Sequence, residues 1–144
     1  MNITLMLADA VQVADGKFYI LGGGWSVTGP MPAPAGIAIK LEVLAHEFDR
    51  PHHWELYLED ADGQLVMVDT PDGPQAIEVR GDFTASAAPD ALDGTPVIVP
   101  IAINFGPIPL MPASRFTWRL VVNGESLVGS TVSFSTRPMT LDLL

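Results

Sequence analysis

Along most of this chain apolar and polar residues alternate one for one. In "GIAIKLEVL", residues 36–44, Ile37, Ile39, Leu41 and Val43 share one face, opposite Lys40 and Glu42. In "HHWELYLED", residues 52–60, Trp54, Leu56 and Leu58 oppose Glu55, Tyr57 and Glu59. In "RFTWRLVV", residues 115–122, Phe116, Trp118, Leu120 and Val122 oppose Arg115, Thr117 and Arg119. A period of two belongs to a strand with one buried and one wet face, as in antiparallel sheets. No segment holds a helical period over three turns. "QLVMVD" and "QAIEVRGDF" read as further strands. "TPVIVPIAINF", residues 95–105, is apolar on both faces, with Val97, Val99, Ile101 and Ile103 against Ile98 and Ala102. It must be central in its sheet or covered by something.

The turns agree with this reading. Asp15-Gly16, Asp62-Gly63 and Asn123-Gly124 each separate two apolar alternations, the pattern of a two-residue hairpin whose central residues both take φ > 0. Centring the first pair sets Val13 opposite Phe18 and Val11 opposite Ile20. Centring the second sets Leu58 opposite Met67. In both, register and hydrophobic face coincide, as a hairpin requires. The third pair sets Leu120 opposite Leu127, but the same register carried onward sends Val132 and Phe134 to the solvent face. One extra residue restores them to the core, and Gly129 is the natural place for that bulge. Strands 36–44 and 53–60 are expected to form an antiparallel hairpin with Lys40 beside Glu59, a register that avoids setting Glu42 against Glu55. "GPIPLMPASR" reads as an extended polyproline crossover between sheets, and "ASAAPDALDG" has room for one helical turn. About nine short strands with Pro and Gly corners predict an all-β fold over residues 1–144: one domain, an antiparallel two-sheet β-sandwich, immunoglobulin-like in the broad sense.

"ILGGGWSVTGPMPAPAG", residues 20–36, has the look of a glycine-rich ligand loop. A phosphate cradle needs a helix start behind it, so that backbone amides and dipole face the anion. Prolines and β-branched residues forbid a helix here. The stretch is therefore a corner: one or more of Gly22, Gly23 and Gly24 takes positive φ so that the strand bends, and Trp25 folds back, mostly buried, over the core edge.

The same stretch, "LADAVQVADGKFYILGGGW", together with "LEDADG" and "PASRFTWRLVVNGE", resembles an uncharacterised family of small acidic β-sandwich proteins of actinobacteria and their phages. Its members share an N-terminal hairpin ending Leu-Gly-Gly-Gly-Trp and a late strand of Trp-Arg-Leu type. The resemblance covers most of the chain. It departs at "PASRF", where similar proteins have Pro-Gly before the aromatic, which touches only the local turn. The resemblance implies a β-sandwich and transfers no catalytic residue.

At 144 residues the chain buries a core without staples. It has no cysteine, which excludes disulfides and thiolate metal sites. The formal net charge is -10, with seven basic residues scattered along the sequence. That balance argues against nucleic acid and anionic membrane surfaces as partners. No apolar run reaches membrane-spanning length. "MNITLMLADAVQVADGK" carries no positive side chain before Lys17 and reads as a first strand rather than a secretory signal. The expected location is the cytoplasm, or a virion assembled there.

Candidate chemistry is sparse. His46, His52 and His53 lie near Glu47, Asp49 and Glu55, the residue types that bind zinc. Adjacent strand residues point to opposite faces, however, so His52 and His53 do not readily share one ion. Glu59, Asp60, Asp62, Asp69 and Asp72 make an oxygen-rich patch of the kind calcium favours, without the spacing of an EF-hand loop. No Gly-x-Ser-x-Gly elbow occurs. No catalytic residue, metal or cofactor is assigned. The expected function is that of a non-enzymatic structural or interaction module whose partner is protein, itself in a homo-oligomer or a larger assembly; a phage capsid decoration subunit is one concrete form. Met139, Leu141, Leu143 and Leu144 of the tail are the candidate interface. The contrasting reading is a small-ligand or carbohydrate binder using Trp25, Tyr57 and the proline-rich loops.

Overall fold

The computed structural model of the chain describes residues 1–140, and the fold is all-β. Its strands run, in chain order, β1 (Asn2–Ala8), β2 (Ala10–Ala14), β3 (Lys17–Leu21), β4 (Val27–Thr28), β5 (Ala35–Val43) and β6 (His52–Asp60). There follow β7 (Met67–Thr70), β8 (Gly73–Ala76), β9 (Glu78–Phe83), β10 (Val97–Phe105), β11 (Arg115–Val122) and β12 (Thr131–Thr136). A three-stranded antiparallel sheet has the order β1-β5-β10, and a five-stranded sheet the order β4-β12-β11-β6-β9. The larger sheet is mixed, because β4 pairs parallel to β12. Two hairpins, β2-β3 and β7-β8, form small sheets of their own.

The alternation read from sequence decides which side chains meet. Ile37, Ile39, Leu41 and Val43 of β5 are wholly withdrawn from solvent, as are Leu56 and Leu58 of β6 and Leu120 of β11. Residues of both larger sheets share one hydrophobic cluster. Phe105 of β10 packs on Trp118 of β11 at 5.2 Å between ring centres, so an aromatic pair ties one sheet to the other. Each such Leu, Ile or Val contributes about 1.5–3 kcal/mol, which makes this cluster the main source of stability.

A second, smaller cluster explains the doubly apolar β10. The outward face of the three-stranded sheet carries small residues at one end: Ala8, Gly36, Ala38 and Ala102. The β2-β3 hairpin folds back over them, burying Val11 and bringing Phe18 against Ala38 and Ala102. The approach is close: a Cβ on Gly36 would stand 3.2 Å from a Val11 methyl and 2.8 Å from the Asn104 side-chain oxygen. Asn104 fastens the hairpin like a piece of strand. Its Oδ1 accepts the Val11 N–H at 2.9 Å and its Nδ2 donates to the Val11 carbonyl at 2.7 Å. Strand β10 is therefore covered at its Ala102–Asn104 end rather than central, while Ile98 at the other end stays exposed; it is an edge strand.

The turns divide into one full agreement and two adjustments. In the first hairpin Val13 pairs with Phe18 and Val11 with Ile20, and Asp15 and Gly16 both have positive φ. At the second turn only Gly63 does, Glu59 bridges Leu65, and the register differs by one from the expected Leu58–Met67 pairing. The Asp60 carboxylate accepts the N–H groups of Asp62 and Gln64, which favours the wider loop; Met67 instead faces Ala76 across β7-β8. At the third turn Val122 bridges Glu125, yet Arg119 pairs with Thr131. Three residues rather than one are inserted. The parity is the expected one, so Phe134 is buried and Val132 half-buried, and Gly129 at φ 83 closes the excursion. The expected helical turn in residues 85–94 is absent; that segment makes turns only.

The expected hairpin between strands 36–44 and 53–60 does not form. Both edges of β5 are taken, by β1 and β10, while β6 lies between β11 and β9. Lys40 faces Thr4 and Pro100, and Glu59 faces Thr117. The connection carries the chain into the other sheet through a 3-10 turn at Ala45–Glu47 and Asp49 at φ 61. Glu47 pins this crossover, accepting the Leu44 N–H at 3.0 Å and pairing with the N-terminal ammonium at 3.0 Å. Burial works to raise the Glu47 carboxyl, but these hydrogen bonds prevail and hold it below its ordinary value. The second crossover, residues 106–114, joins the two larger sheets as expected, turns at Pro112-Ala113 with Ala113 at φ 52, and packs Ile108 and Leu110 on the core.

The tightest backbone approach generates a prediction. A Cβ on Gly129 would collide with the Ile3 carbonyl oxygen, and φ there is positive. Gly129→Ala should lower stability by about 2 kcal/mol or more, read as a shift of the urea midpoint with unchanged slope.

Candidate functional site

Four regions bear on function, and the glycine corner comes first. Gly22 and Gly24 have φ of 59° and 89°, and the Gly24 N–H donates to the Leu7 carbonyl at 2.7 Å. The chain thus turns back along β1 as expected. Trp25 packs against the core with a minor part of its surface exposed, mostly buried as expected, and meets Phe134 edge-on at 5.7 Å. Its Nε1 is screened from solvent and has no hydrogen-bond partner among the described residues. Beside it lies a cavity of about 40 Å³, lined among others by Pro30, Met31, Phe105, Trp118 and Phe134. This has room for about one or two water molecules and is far below the ~300 Å³ of a small-ligand pocket.

The second region is the outward face of β6 and β9, where Tyr57 lies. His53 stands between two carboxylates, its Nδ1 2.8 Å from Asp82 and its Nε2 3.1 Å from Glu55. The Tyr57 hydroxyl donates to the other oxygen of Glu55, and Arg80 bridges Glu78 at 3.2 Å and Glu55 at 3.8 Å. The hydrogen bond from Tyr57, then that from His53, holds the Glu55 carboxyl below its ordinary value. Asp82, then Glu55, raises the His53 imidazole. Glu55 likewise raises the Tyr57 hydroxyl. Each charge in this network is answered by a neighbour on the same flat sheet face, so it builds a solvated polar surface.

The remaining predicted residues are dispersed. His52 points the opposite way from His53, as adjacency requires. It is buried, with Nε2 2.8 Å from the Glu47 carbonyl oxygen, Nδ1 2.9 Å from the Asn123 amide, and its ring on Phe83. His46 is exposed on the crossover. Of the acidic patch, Glu59 is held by Arg119 in a two-point contact of 2.7 and 3.1 Å, and Asp60 caps its own turn. Among the described residues no group of three or more His, Asp or Glu is placed to hold a metal ion, and no helix is long and apolar enough to cross a membrane. Met139 is 61% exposed; Leu141, Leu143 and Leu144 lie outside the described residues.

The fourth region is one that sequence reasoning does not single out. The β2-β3 hairpin buries one face and presents the other, where Leu21 is 71% and Tyr19 55% exposed, with Met6 and Ile20 at the margin. Its signal is present in "KFYIL", apolar at both parities over four residues. The contribution of Arg80 and Asp82 to the His53 network also escapes a reading of the sequence. The alternation Glu78-Arg80-Asp82 is legible there, but the expected hairpin gives β6 the wrong neighbour.

A family model for DUF6941, a family of unknown function, matches residues 3–133. No curated protein and no solved structure matches the chain.

Two measurements follow from the aromatic corner and the histidine. Trp25→Ala should destabilise by about 3 kcal/mol, whereas Trp25→Phe should cost about 1 kcal/mol or less, because the indole N–H it removes is unpaired; thermal melts distinguish the two. By NMR, His53 should titrate above its ordinary 6.5, and Asp82→Asn should bring it down. Its contribution to stability is full below pH 6.5 and fades as pH rises through the folded value. That of Glu55 is full above its ordinary 4.5 and is lost as pH falls through the depressed value.

Proposed function

The chain belongs to DUF6941, a family of unknown function, and we propose that it acts by binding protein, as a non-enzymatic subunit of a homo-oligomer or larger assembly. One observation carries the reading: Tyr19 and Leu21 stand in water on a hairpin whose other face is already buried. Contiguous apolar surface of this kind, with an aromatic residue, characterises interfaces rather than solvated faces. The polar network around His53 is satisfied within itself, and the cavity beside Trp25 is too small to hold a substrate. The finer architectural reading, a two-sheet sandwich that is immunoglobulin-like in the broad sense, draws support from the single cluster to which both larger sheets contribute. A virion component such as a capsid decoration subunit, assembled in the cytoplasm, is the form that the phage-family resemblance supports.

A second reading rests on Trp25. Its buried Nε1, unpartnered among the described residues, would be satisfied by an acceptor on a small ligand or sugar, provided that the segment bearing Pro30 and Met31 opened to enlarge the cavity.

Native mass decides between them. Light scattering on a dilution series should give a multiple of the single-chain mass, and Leu21→Glu should shift it toward the single chain without moving the melting temperature. A wild-type chain that is monomeric throughout would remove the homo-oligomer and leave the ligand reading to be tested on Trp25→Ala.

A further inference from the structure

The hairpin geometry also specifies how copies would meet: we infer that two copies of this chain join antiparallel along the free edge of β3, about a two-fold axis at Tyr19. This rests on the assembly reading above and adds to it a partner and a register. Among the described residues strand β3 has one neighbour, β2. Ala14 and Lys17 flank the two-residue turn and pair with each other, followed by Gln12 with Tyr19 and Ala10 with Leu21. In a two-residue hairpin the flanking pair exchanges both backbone hydrogen bonds, and every second pair repeats this. Lys17, Tyr19 and Leu21 therefore direct their N–H and C=O groups toward β2, while Phe18 and Ile20 direct theirs to the open edge. No turn, loop or crossover bond takes up those four groups among the described residues.

Antiparallel pairing about Tyr19 uses all four in each copy. Phe18 then faces the second copy's Ile20, each N–H donating to the other's carbonyl, and the axis repeats the exchange. The register is self-complementary, as a two-fold interface demands. Tyr19 meets its own equivalent and Leu21 meets Lys17, so the exposed apolar side chains form one continuous cross-strand row. Charge fits as well. Lys17 is the one charged residue of β3, and Asp9, whose N–H donates to the Leu21 carbonyl at 2.9 Å, stands at the strand's other end. Antiparallel pairing brings Lys17 of each copy toward Asp9 of the other. For a chain of net charge -10, a contact that sets no like charges face to face is what permits self-association. Two other edges are defended: β10 carries Pro100 near its centre and β9 alternates Glu78, Arg80 and Asp82, the devices that discourage strand addition. Strand β3 has no proline, and its one charge, Lys17, lies at the turn end.

Since the chain has no cysteine, Tyr19→Cys introduces a single thiol. At the axis the two substituted residues form a non-hydrogen-bonded pair with Cα atoms about 4.5 Å apart, inside the range a disulfide spans. Mild oxidation should convert Tyr19→Cys largely to a covalent dimer while Gln12→Cys, one strand further from the axis, stays uncrosslinked. Ile20→Pro, which removes an edge-facing N–H and no β2 bond, should lose the native dimer while keeping the chain's melting transition. Crosslinking of Tyr19→Cys no faster than of Gln12→Cys overturns the pairing. If wild-type mass is then still oligomeric, the assembly reading survives without this register; if wild type is monomeric, both fall.

Discussion

The structure depends on complete removal from water of one face of β5. Ile37, Ile39, Leu41 and Val43 have no exposure at all, and side chains alternate strictly along a strand. A slip of one residue against β1 or β10 would therefore exchange all four for Gly36, Ala38, Lys40 and Glu42, burying two charges and exposing four large side chains. At about 1.5–3 kcal/mol for each side chain returned to water, with two buried charges in addition, such a slip costs about as much as the whole stability of a folded domain, roughly 5–15 kcal/mol. The register of the three-stranded sheet is thereby fixed, and with it the position of everything hung on that sheet.

What hangs there follows from the opposite face of the same strand. Where that face is made of Gly36 and Ala38, backbone can approach backbone, and the β2-β3 hairpin lies flat on it, held by Asn104. Where it is Lys40 and Glu42, no strand among the described residues lies over it. One strand thus encodes the core on one side and, by residue size on the other, how far the covering layer extends. The hairpin in turn supplies the exposed Tyr19 and Leu21. The proposed interface is the outer surface of an element whose inner surface is already buried.

Much of this was legible in the sequence, and the failures have a common cause. Alternation identified the buried faces of β5, β6 and β11, and the Asp15-Gly16 turn gave its hairpin register outright, because all of that information is local. Which strand pairs with which is not local. Strands 36–44 and 53–60 fit each other as a hairpin in pattern and charge, yet β1 and β10 compete for β5, and those contacts reach as far along the chain as Ala35 with Phe105 at no visible cost in pattern. The consequence reaches the site. With β6 beside the wrong neighbour, Arg80 and Asp82 could not be placed next to Glu55 and His53. At the third turn parity was recoverable from Val132 and Phe134, but the size of the insertion was not, since one residue and three restore the same face.

Edges show the same physics acting in the negative. A sheet of finite width ends in strands whose outer N–H and C=O groups need water or a partner, and the chemistry spent on each edge records which is intended. On β10, nine residues long and apolar at both parities, a proline near the middle breaks the row of donors. On β9 the alternating charges keep the row hydrated, and Glu55 and His53 compensate those charges from the neighbouring strand. On β3 no proline intervenes, the single charge sits beside the turn, and the outward residues are Tyr19 and Leu21. An edge left open on a chain that carries ten net negative charges is not protected from neighbours by local chemistry; only long-range repulsion holds copies apart, and salt screens that within about 10 Å. Association along β3 should accordingly strengthen as ionic strength rises, the opposite of what an interface built on ion pairs would do.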